Sequence, residues 1–301
     1  MDQAKQLHII PILRLASEGD YFNPSAWRKL TLLDMLDFAN FLESLNWPTK
    51  NRYIIVANEP NRGDEWGGTP NASEYAKILS YATTVFKLKN PDFFVISAGL
   101  DNAAANTSIA MNEYSFLRQM ETAVPGIFNQ IDGIGSHAYP NPAFAQPPEV
   151  QNSESIASFK YESDLISQFT TKILPIFITE TGWSTDVVSD SQIASYYQQA
   201  FKSVWNDSRI VTVTPFLLNA GGGPFSQFSL FRNGNSTLEY KELFQLPKVK
   251  GLPPLTPNVL AAEITTLQNI PIKTFSPTHQ SIFQLFALQI SKIAGKFLLG
   301  I

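Results

Sequence analysis

The chain has 301 residues, of which 44% are hydrophobic, and this is enough for one large core of the size that α/β barrels need. Its net charge is −4, so no basic excess indicates a nucleic-acid partner. The chain contains no cysteine, which excludes disulfides and thiolate chemistry. Three scattered histidines make no metal-ligand cluster, and neither a metal nor a cofactor is expected.

The first residues, Met1–Gln6, lack the basic start and the long apolar run of a signal peptide. The compartment therefore stays open at this point. An extracellular or cell-surface location is favoured if the N-terminus is truncated.

Apolar runs alternate strictly with helical periodicities, which predicts six strand–helix units around a parallel sheet. The predicted strands are Gln6–Ala16, Tyr53–Ala57, Phe93–Ala98, Ile131–Tyr139, Leu174–Glu180 and Ile210–Leu218. The predicted helices are Pro24–Leu45, Asn71–Lys89, Asn112–Ala123, Ile156–Thr171, Ser189–Asn206 and Ser236–Leu246. A closed eight-stranded barrel needs two more units, so the expected fold is a (β/α)8 TIM-barrel type that lacks the first two βα units.

Residues 1–250 are expected to form this barrel domain, and residues 251–301 a Pro-rich linker and a tail. Within the tail, Val259–Ile264 and Ile270–Phe275 are candidate short strands, and Ser281–Ile301 has the apolar spacing of an amphipathic helix. Three interpretations of the tail stay open. It packs under the incomplete barrel, it begins a further domain, or, least favoured, its helix contacts a membrane.

Two of the predicted strands end in a glutamate. The run from Tyr53 to Ala57 stops at Asn58-Glu59-Pro60, where proline cannot donate to a strand ladder. The second run ends at Glu180. Because parallel α/β sheets and barrels bind ligands at the carboxyl ends of their strands, the two carboxylates are a candidate catalytic pair. Cleavage of a glycosidic bond needs such a pair, one carboxyl group on each side of the bond.

The motif Asn58-Glu59-Pro60 and the motif Thr179-Glu180, three units later, resemble the clan A glycoside hydrolases, the "4/7" superfamily of TIM-barrel retaining enzymes. The resemblance covers about residues 8 to 246. It implies double displacement on a β-linked glycoside or an oligo- or polysaccharide, with Glu59 as the acid/base and Glu180 as the nucleophile. It also implies that Asn58 binds the sugar 2-hydroxyl.

The resemblance extends to the strand that ends in His137 and Tyr139, where the family places an imidazole or an aromatic hydroxyl near the nucleophile. Tyr139 is expected to orient Glu180. Two features depart from the family. The first two strands, with their arginine that contacts the nucleophile, are missing, and Arg14 is the candidate substitute. The last strand lacks the tryptophan that, in the family, forms the floor of the central sugar subsite, and Phe216 lies near that position.

Other residues of the expected site have two interpretations each. Arg14 lies in an apolar strand, so it is expected to pair with a carboxylate at the barrel mouth. Trp66 and Trp183 either stack on sugar rings or plug the core, whereas Trp27 is expected in the core. Burial and the nearby charge of the other glutamate are expected to raise the pKa of Glu59.

Two other functions stay open beside the glycosidase. The first is a carbohydrate-binding or scaffold barrel without catalysis. The second is an unrelated α/β-barrel enzyme, which a carboxyl separation well above about 10 Å would favour.

Overall fold

A computed structural model describes residues 1–247 of the chain, so the predictions for the tail at 251–301 lie outside the described residues. Six strands follow the predicted order, and a short hairpin of two further strands comes after them. The strands are β1 (Ile12–Leu15), β2 (Arg52–Val56), β3 (Phe93–Ser97), β4 (Ile134–His137), β5 (Ile176–Thr181), β6 (Ile210–Pro215), β7 (Phe231–Arg232) and β8 (Asn235–Ser236).

The six long strands lie side by side in chain order, and every pairing among them is parallel. One ladder joins β1, β2 and β3, and a second joins β4, β5 and β6. Parallel bridges from Ile96 to Gly133 and from Asp101 to His137 connect β3 to β4. Within residues 1–247, the ladders do not pair β6 with β1. The predicted parallel α/β architecture is therefore confirmed as a partial barrel.

Helices connect successive strands, as parallel pairing requires. They are α1 (Asp2–Gln6), α2 (Leu32–Glu43), α3 (Ala72–Lys89), α4 (Glu113–Ala123), α5 (Ile127–Gln130), α6 (Ser158–Ile166), α7 (Asp190–Lys202) and α8 (Leu238–Gln245). Side-chain caps begin several of them: Thr31 forms a capping box with Asp34, and Asn71 accepts from the backbone N–H of Glu74. None of the described helices has both the length and the apolar character needed to cross a bilayer.

Two layers of apolar side chains hold the curved sheet. The inner layer fills the concave side, with rings and β-branched side chains from three different strands packed together. Ile12 on β1 and Val211 on β6 both pack against it, which shows that the outermost strands curve round the same interior. The outer layer lies between strands and helices, where Leu79 and Phe86 on α3 are completely buried. This curvature directs the carboxyl ends of β2 and β5 toward a common point.

The first predicted strand and the first predicted helix are both longer than the observed elements. Asp2–Gln6 is the helix α1, and β1 begins only at Ile12. Likewise, the first barrel helix begins at Leu32 instead of Pro24, because the segment before Thr31 forms backbone hydrogen bonds to itself and to a neighbouring loop. The pattern of apolar residues alone did not distinguish that loop from a helical turn.

Candidate active site

The two predicted glutamates lie together at the carboxyl ends of their strands. Glu59 follows β2, and Glu180 is the fifth residue of β5, three strands further along the sheet. A carboxylate oxygen from each, together with a ring nitrogen of His137, all lie within 4.8 Å of one another. Their side chains keep 12% and 14% of their surface exposed, so both glutamates remain in contact with solvent.

The backbone after β2 leaves the extended conformation in order to present Glu59. Ala57 has φ +72° and Glu59 has φ +33°, values in the left-handed region that residues with a Cβ rarely adopt. The N–H of Glu59 donates to the carbonyl of Gly99 at 3.2 Å, which ties this turn to the end of β3. Strained backbone of this kind concentrates at functional sites.

The imidazole of His137 lies between the two glutamates. Its Nδ1 is 2.7 Å from Oε1 of Glu59 and 3.8 Å from Oε2 of Glu180, and the ring is buried. The ring fits there because residue 99 is glycine: a Cβ at that position would lie 2.1 Å from the ring. The contact joins two residues 78 positions apart in the chain, so no local pattern in the sequence indicates it.

Arg14 and Tyr139 both donate hydrogen bonds to Glu180. Nη1 of Arg14 lies 2.5 Å from Oε1 of Glu180 and 2.6 Å from the side-chain oxygen of Asn58. The hydroxyl of Tyr139 donates to Oε2 of Glu180 at 3.1 Å. Arg14 therefore pairs with a carboxylate at the mouth of the barrel, as the sequence predicted.

The charges around Glu59 act against the expected direction of its pKa. Burial by itself raises the pKa of Glu59, but the hydrogen bond and charge of His137 and the charge of Arg62 outweigh it, so the pKa is lowered. Burial lowers the pKa of His137, whereas the charge of Glu180 and the bond to Glu59 raise it, and the net shift is upward. The expectation that the pKa of Glu59 is raised was therefore wrong for the free protein, because the hydrogen bond to His137 and the charge of Arg62 favour the ionised carboxylate.

Arg62 and two acidic residues around Glu59 were not predicted as part of the site. Nη1 of Arg62 lies 3.5 Å from Glu59 and 3.5 Å from Asp101. Burial, followed by the charge of Glu59, raises the pKa of both Glu65 and Asp101. The polar, glycine-rich loop after Glu59 was the one sequence signal that could have included Arg62 and Glu65.

Trp66 and Trp183 are corrected from candidate sugar-stacking residues to core residues. Both side chains are almost fully buried. The indole of Trp66 packs edge-on against Tyr75. The indole of Trp183 packs against Tyr197 and Trp205, and its Nε1 donates to a backbone carbonyl at 2.8 Å. Neither ring has a face available for a sugar.

The rings around Tyr139 come from the loop that follows β4, from the end of β6 and from the 3-10 turn Ser226–Phe228. Phe216 and Phe228 lie edge-on to Tyr139, with ring centroids 6.4 and 6.1 Å away, and Phe144 lies at 5.1 Å. Phe216 is only partly buried and immediately follows β6. It therefore occupies the end of the last strand, where the sequence offered no tryptophan.

A second carboxyl pair lies buried behind β4. Oε1 of Glu162, on α6, accepts hydrogen bonds from the hydroxyls of Ser136 at 2.7 Å and Ser158 at 3.0 Å. Glu113, the first residue of α4, is buried as well. Burial raises the pKa of both carboxyls, and the charge of Glu162 raises that of Glu113 further. Sequence reasoning missed the pair, because each glutamate lies in a helix with no distinguishing motif.

Within residues 1–247, the one group of His, Asp and Glu side chains near enough to hold a metal ion is Glu59, His137 and Glu180. The Arg14 guanidinium already contacts Glu180, and the His137 imidazole already contacts Glu59. This donor set fits a proton-transfer site better than a metal centre.

No protein-family model matches the chain, and no curated protein matches its sequence. Solved structures do match its fold. A family 128 (subgroup II) endo-β-1,3-glucanase from Sorangium cellulosum is 16% identical, with a TM-score of 0.59 over 83% of this chain and 86% of that one. A β-xylosidase from Caulobacter crescentus is 14% identical, with a TM-score of 0.58 over 83% of this chain and 55% of that one.

This chain has the fold of the clan A glycosidase TIM barrels. A family 39 glycoside hydrolase from the gut symbiont Bacteroides cellulosilyticus supports the same fold, at 17% identity and a TM-score of 0.57. The match covers 80% of this chain but 50% of that enzyme. This chain thus spans most of the length of the glucanase, and about half the length of the xylosidase and the family 39 enzyme.

Proposed function

We propose that this protein is a retaining glycoside hydrolase that cleaves the O-glycosidic bonds of a β-linked glycoside or polysaccharide by double displacement. Glu59 is the acid/base and Glu180 the nucleophile. The observation that carries the proposal is the separation of their carboxylates, with oxygens within 4.8 Å of each other. Retaining enzymes hold the two carboxyls about 5–5.5 Å apart, whereas inverting enzymes need a wider gap for a water molecule.

In the first step, a carboxylate oxygen of Glu180 attacks the anomeric carbon, and the bond to the leaving oxygen breaks as Glu59 protonates that oxygen. Arg14 and Tyr139 hold the attacking carboxylate in one orientation through its two oxygens. The side-chain oxygen of Asn58 accepts from Arg14, and the Asn58 side chain also hydrogen-bonds the Glu65 carboxyl, which fixes the amide beside the two glutamates.

The contact between His137 and Glu59 supplies the proton for this step. Nδ1 of His137 lies 2.7 Å from Oε1 of Glu59, and although burial lowers the pKa of His137, the charge of Glu180 and the bond to Glu59 raise it overall. Transfer across that hydrogen bond makes Glu59 the acid. When Glu180 becomes an ester it loses its negative charge, and that charge then no longer raises the pKa of His137.

In the second step, a water molecule attacks the anomeric carbon of the glycosyl ester. Glu59 accepts the proton of this water, and the sugar–Glu180 bond breaks to release a sugar of retained configuration. The proton then returns to His137, so that both carboxylates and the imidazole recover their initial states.

The test uses the Glu180→Gln and Glu59→Ala variants with β-1,3-glucan, β-1,4-xylan and aryl β-glycosides as substrates. We expect Glu180→Gln to abolish turnover. We expect azide to restore part of the activity of Glu59→Ala on substrates with good leaving groups, because azide replaces the water that no longer has a base. Glu149→Gln, a change of an exposed carboxylate, is the matched control and should keep parental activity.

Parental activity in both glutamate variants would rule out the assignment. Glycan binding by the wild-type protein without any release of reducing ends would instead favour a carbohydrate-binding barrel that lacks catalysis.

A further inference from the structure

The segment between β1 and α2 contains an ordered hairpin, residues 18–28, which we call the rim hairpin. Backbone hydrogen bonds pair Arg28 with Glu18 at 2.9 Å and Asp20 with Ala26 at 2.8 Å. At the tip, the Asp20 carboxylate accepts from the N–H groups of Phe22 at 2.8 Å and Asn23 at 3.1 Å. The backbone at the tip is therefore held in one conformation.

The rim hairpin is hydrogen-bonded to the loop that follows β2 and Glu59. The N–H of Trp27 donates to the carbonyl of Asp64 at 2.7 Å, and the N–H of Gly67 donates to the carbonyl of Trp27 at 2.8 Å. Both loops leave the carboxyl ends of neighbouring parallel strands, β1 and β2. The hairpin consequently forms part of the same rim as Glu59.

Three aromatic side chains of this hairpin are exposed to solvent. Tyr21 is 88% exposed and Phe22 is 92% exposed, and their rings meet edge-on with centroids 5.2 Å apart. Trp27 is 46% exposed, which corrects its expected position in the core. Single exposed apolar residues are common, but three aromatic rings on one braced hairpin are a typical mark of a binding surface.

Trp27 connects this surface to Asn58, the residue expected to bind sugar beside Glu59. The residue lines a small cavity of about 20 Å³ together with Asn58 and Glu65. The rings of the hairpin thus begin beside a residue of the proposed site and continue to an exposed tip. Polar residues stand beside Tyr21 and Phe22 in the chain: Asp20 accepts from the N–H of Asn23, and the hydroxyl of Ser25 donates to the side-chain oxygen of Asn23.

We propose that the rim hairpin is a sugar-binding platform that extends the catalytic cleft. Trp27 packs against the sugar unit beside Asn58, and Tyr21 and Phe22 hold units further along the same β-linked chain. The apolar C–H face of a pyranose packs against an aromatic ring, while its hydroxyls reach the polar side chains around the tip. This inference rests on the proposed glycosidase function and adds that the preferred substrate is a chain of several sugars.

The test measures the affinity of Phe22→Ala and Trp27→Ala for soluble β-1,3-glucan and β-1,4-xylan by native affinity gel electrophoresis. We expect each variant to bind the preferred polysaccharide about ten-fold more weakly, as expected when an aromatic anchor is truncated. Phe41→Ala is the matched control, since Phe41 is a 61% exposed ring on α2, and it should bind like the wild type. Phe22 lies at an exposed tip, so its removal leaves the core intact.

The release of reducing ends is measured on the same samples, which separates this inference from the proposed function. A wild type that hydrolyses the glycan, with parental affinity in both hairpin variants, overturns the platform alone. A wild type that binds through the hairpin without hydrolysis supports the platform and contradicts the catalytic proposal. If Phe22→Ala converts a wild-type dimer into a monomer with unchanged glycan affinity, the rings form a subunit interface and the platform is refuted.

Discussion

Replacing Tyr139 by phenylalanine tests whether the hydrogen bonds to Glu180 position a nucleophile. The change removes the hydroxyl that donates to Oε2 of Glu180 at 3.1 Å and keeps the ring that packs among Phe144, Phe216 and Phe228. Stability should therefore change little, whereas the carboxylate loses one of its two donors.

The size of the effect follows from the kind of hydrogen bond that is lost. A hydrogen bond to a charged group contributes about 1.5–3 kcal/mol, and about 1.4 kcal/mol corresponds to a factor of ten in rate. Because Arg14 still donates to Oε1 of Glu180 at 2.5 Å, we expect the lower part of this range. The value of kcat/KM should fall roughly 10- to 30-fold.

The assay is the steady-state hydrolysis of an aryl β-glycoside by wild type, Tyr139→Phe and the matched control Tyr53→Phe. Tyr53 lies near the amino end of β2, where its hydroxyl accepts a hydrogen bond from Asn51 at 3.0 Å. The control should retain parental kinetics. A Tyr139→Phe variant with parental kcat/KM, or an equal loss in the control, would refute the positioning of Glu180 by this hydroxyl.

Three further predictions concern stability. Trp183→Ala should reduce the free energy of unfolding by about 3–5 kcal/mol in urea titrations, because the indole is core; a change below 1 kcal/mol would contradict this. The contact between His137 and Glu59 should stabilise the fold most between pH 4.5 and 6.5, the ordinary pKa values of the two groups. The lowered pKa of Glu59 makes its contribution disappear as the pH falls, and the raised pKa of His137 makes the contribution disappear as the pH rises. The stability difference between wild type and His137→Gln should peak there, and a flat pH profile would disprove it. Glu113→Gln should reduce the loss of stability as the pH rises above 4.5, the ordinary pKa of a glutamate, because Glu113 then ionises in the unfolded chain while its raised pKa in the folded protein opposes ionisation; equal slopes above that pH in urea titrations of wild type and variant would count against it.

Much of the architecture and part of the candidate site followed from local patterns. Short apolar runs alternating with amphipathic periodicities predicted all six long strands and their order. A parallel strand that is buried on both faces consists almost entirely of apolar residues, so it can be recognised in the sequence. The positions of Glu59 and Glu180 at strand ends were readable for the same reason. Trp27 and Trp183 could not be assigned correctly, since a tryptophan has the same side chain in a core and on an exposed hairpin.

The sequence by itself determined the parallel α/β architecture and the presence of two carboxylates at the carboxyl ends of strands three units apart. Only the tertiary structure decided how those carboxylates are charged and held. The bond from Arg14 to Glu180 spans 166 positions, and the bond from His137 to Glu59 spans 78. Such contacts depend on the curvature of the whole sheet and on the room that Gly99 leaves for an imidazole. Electrostatic shifts vary with distances of a few ångströms, and only the folded chain defines those distances.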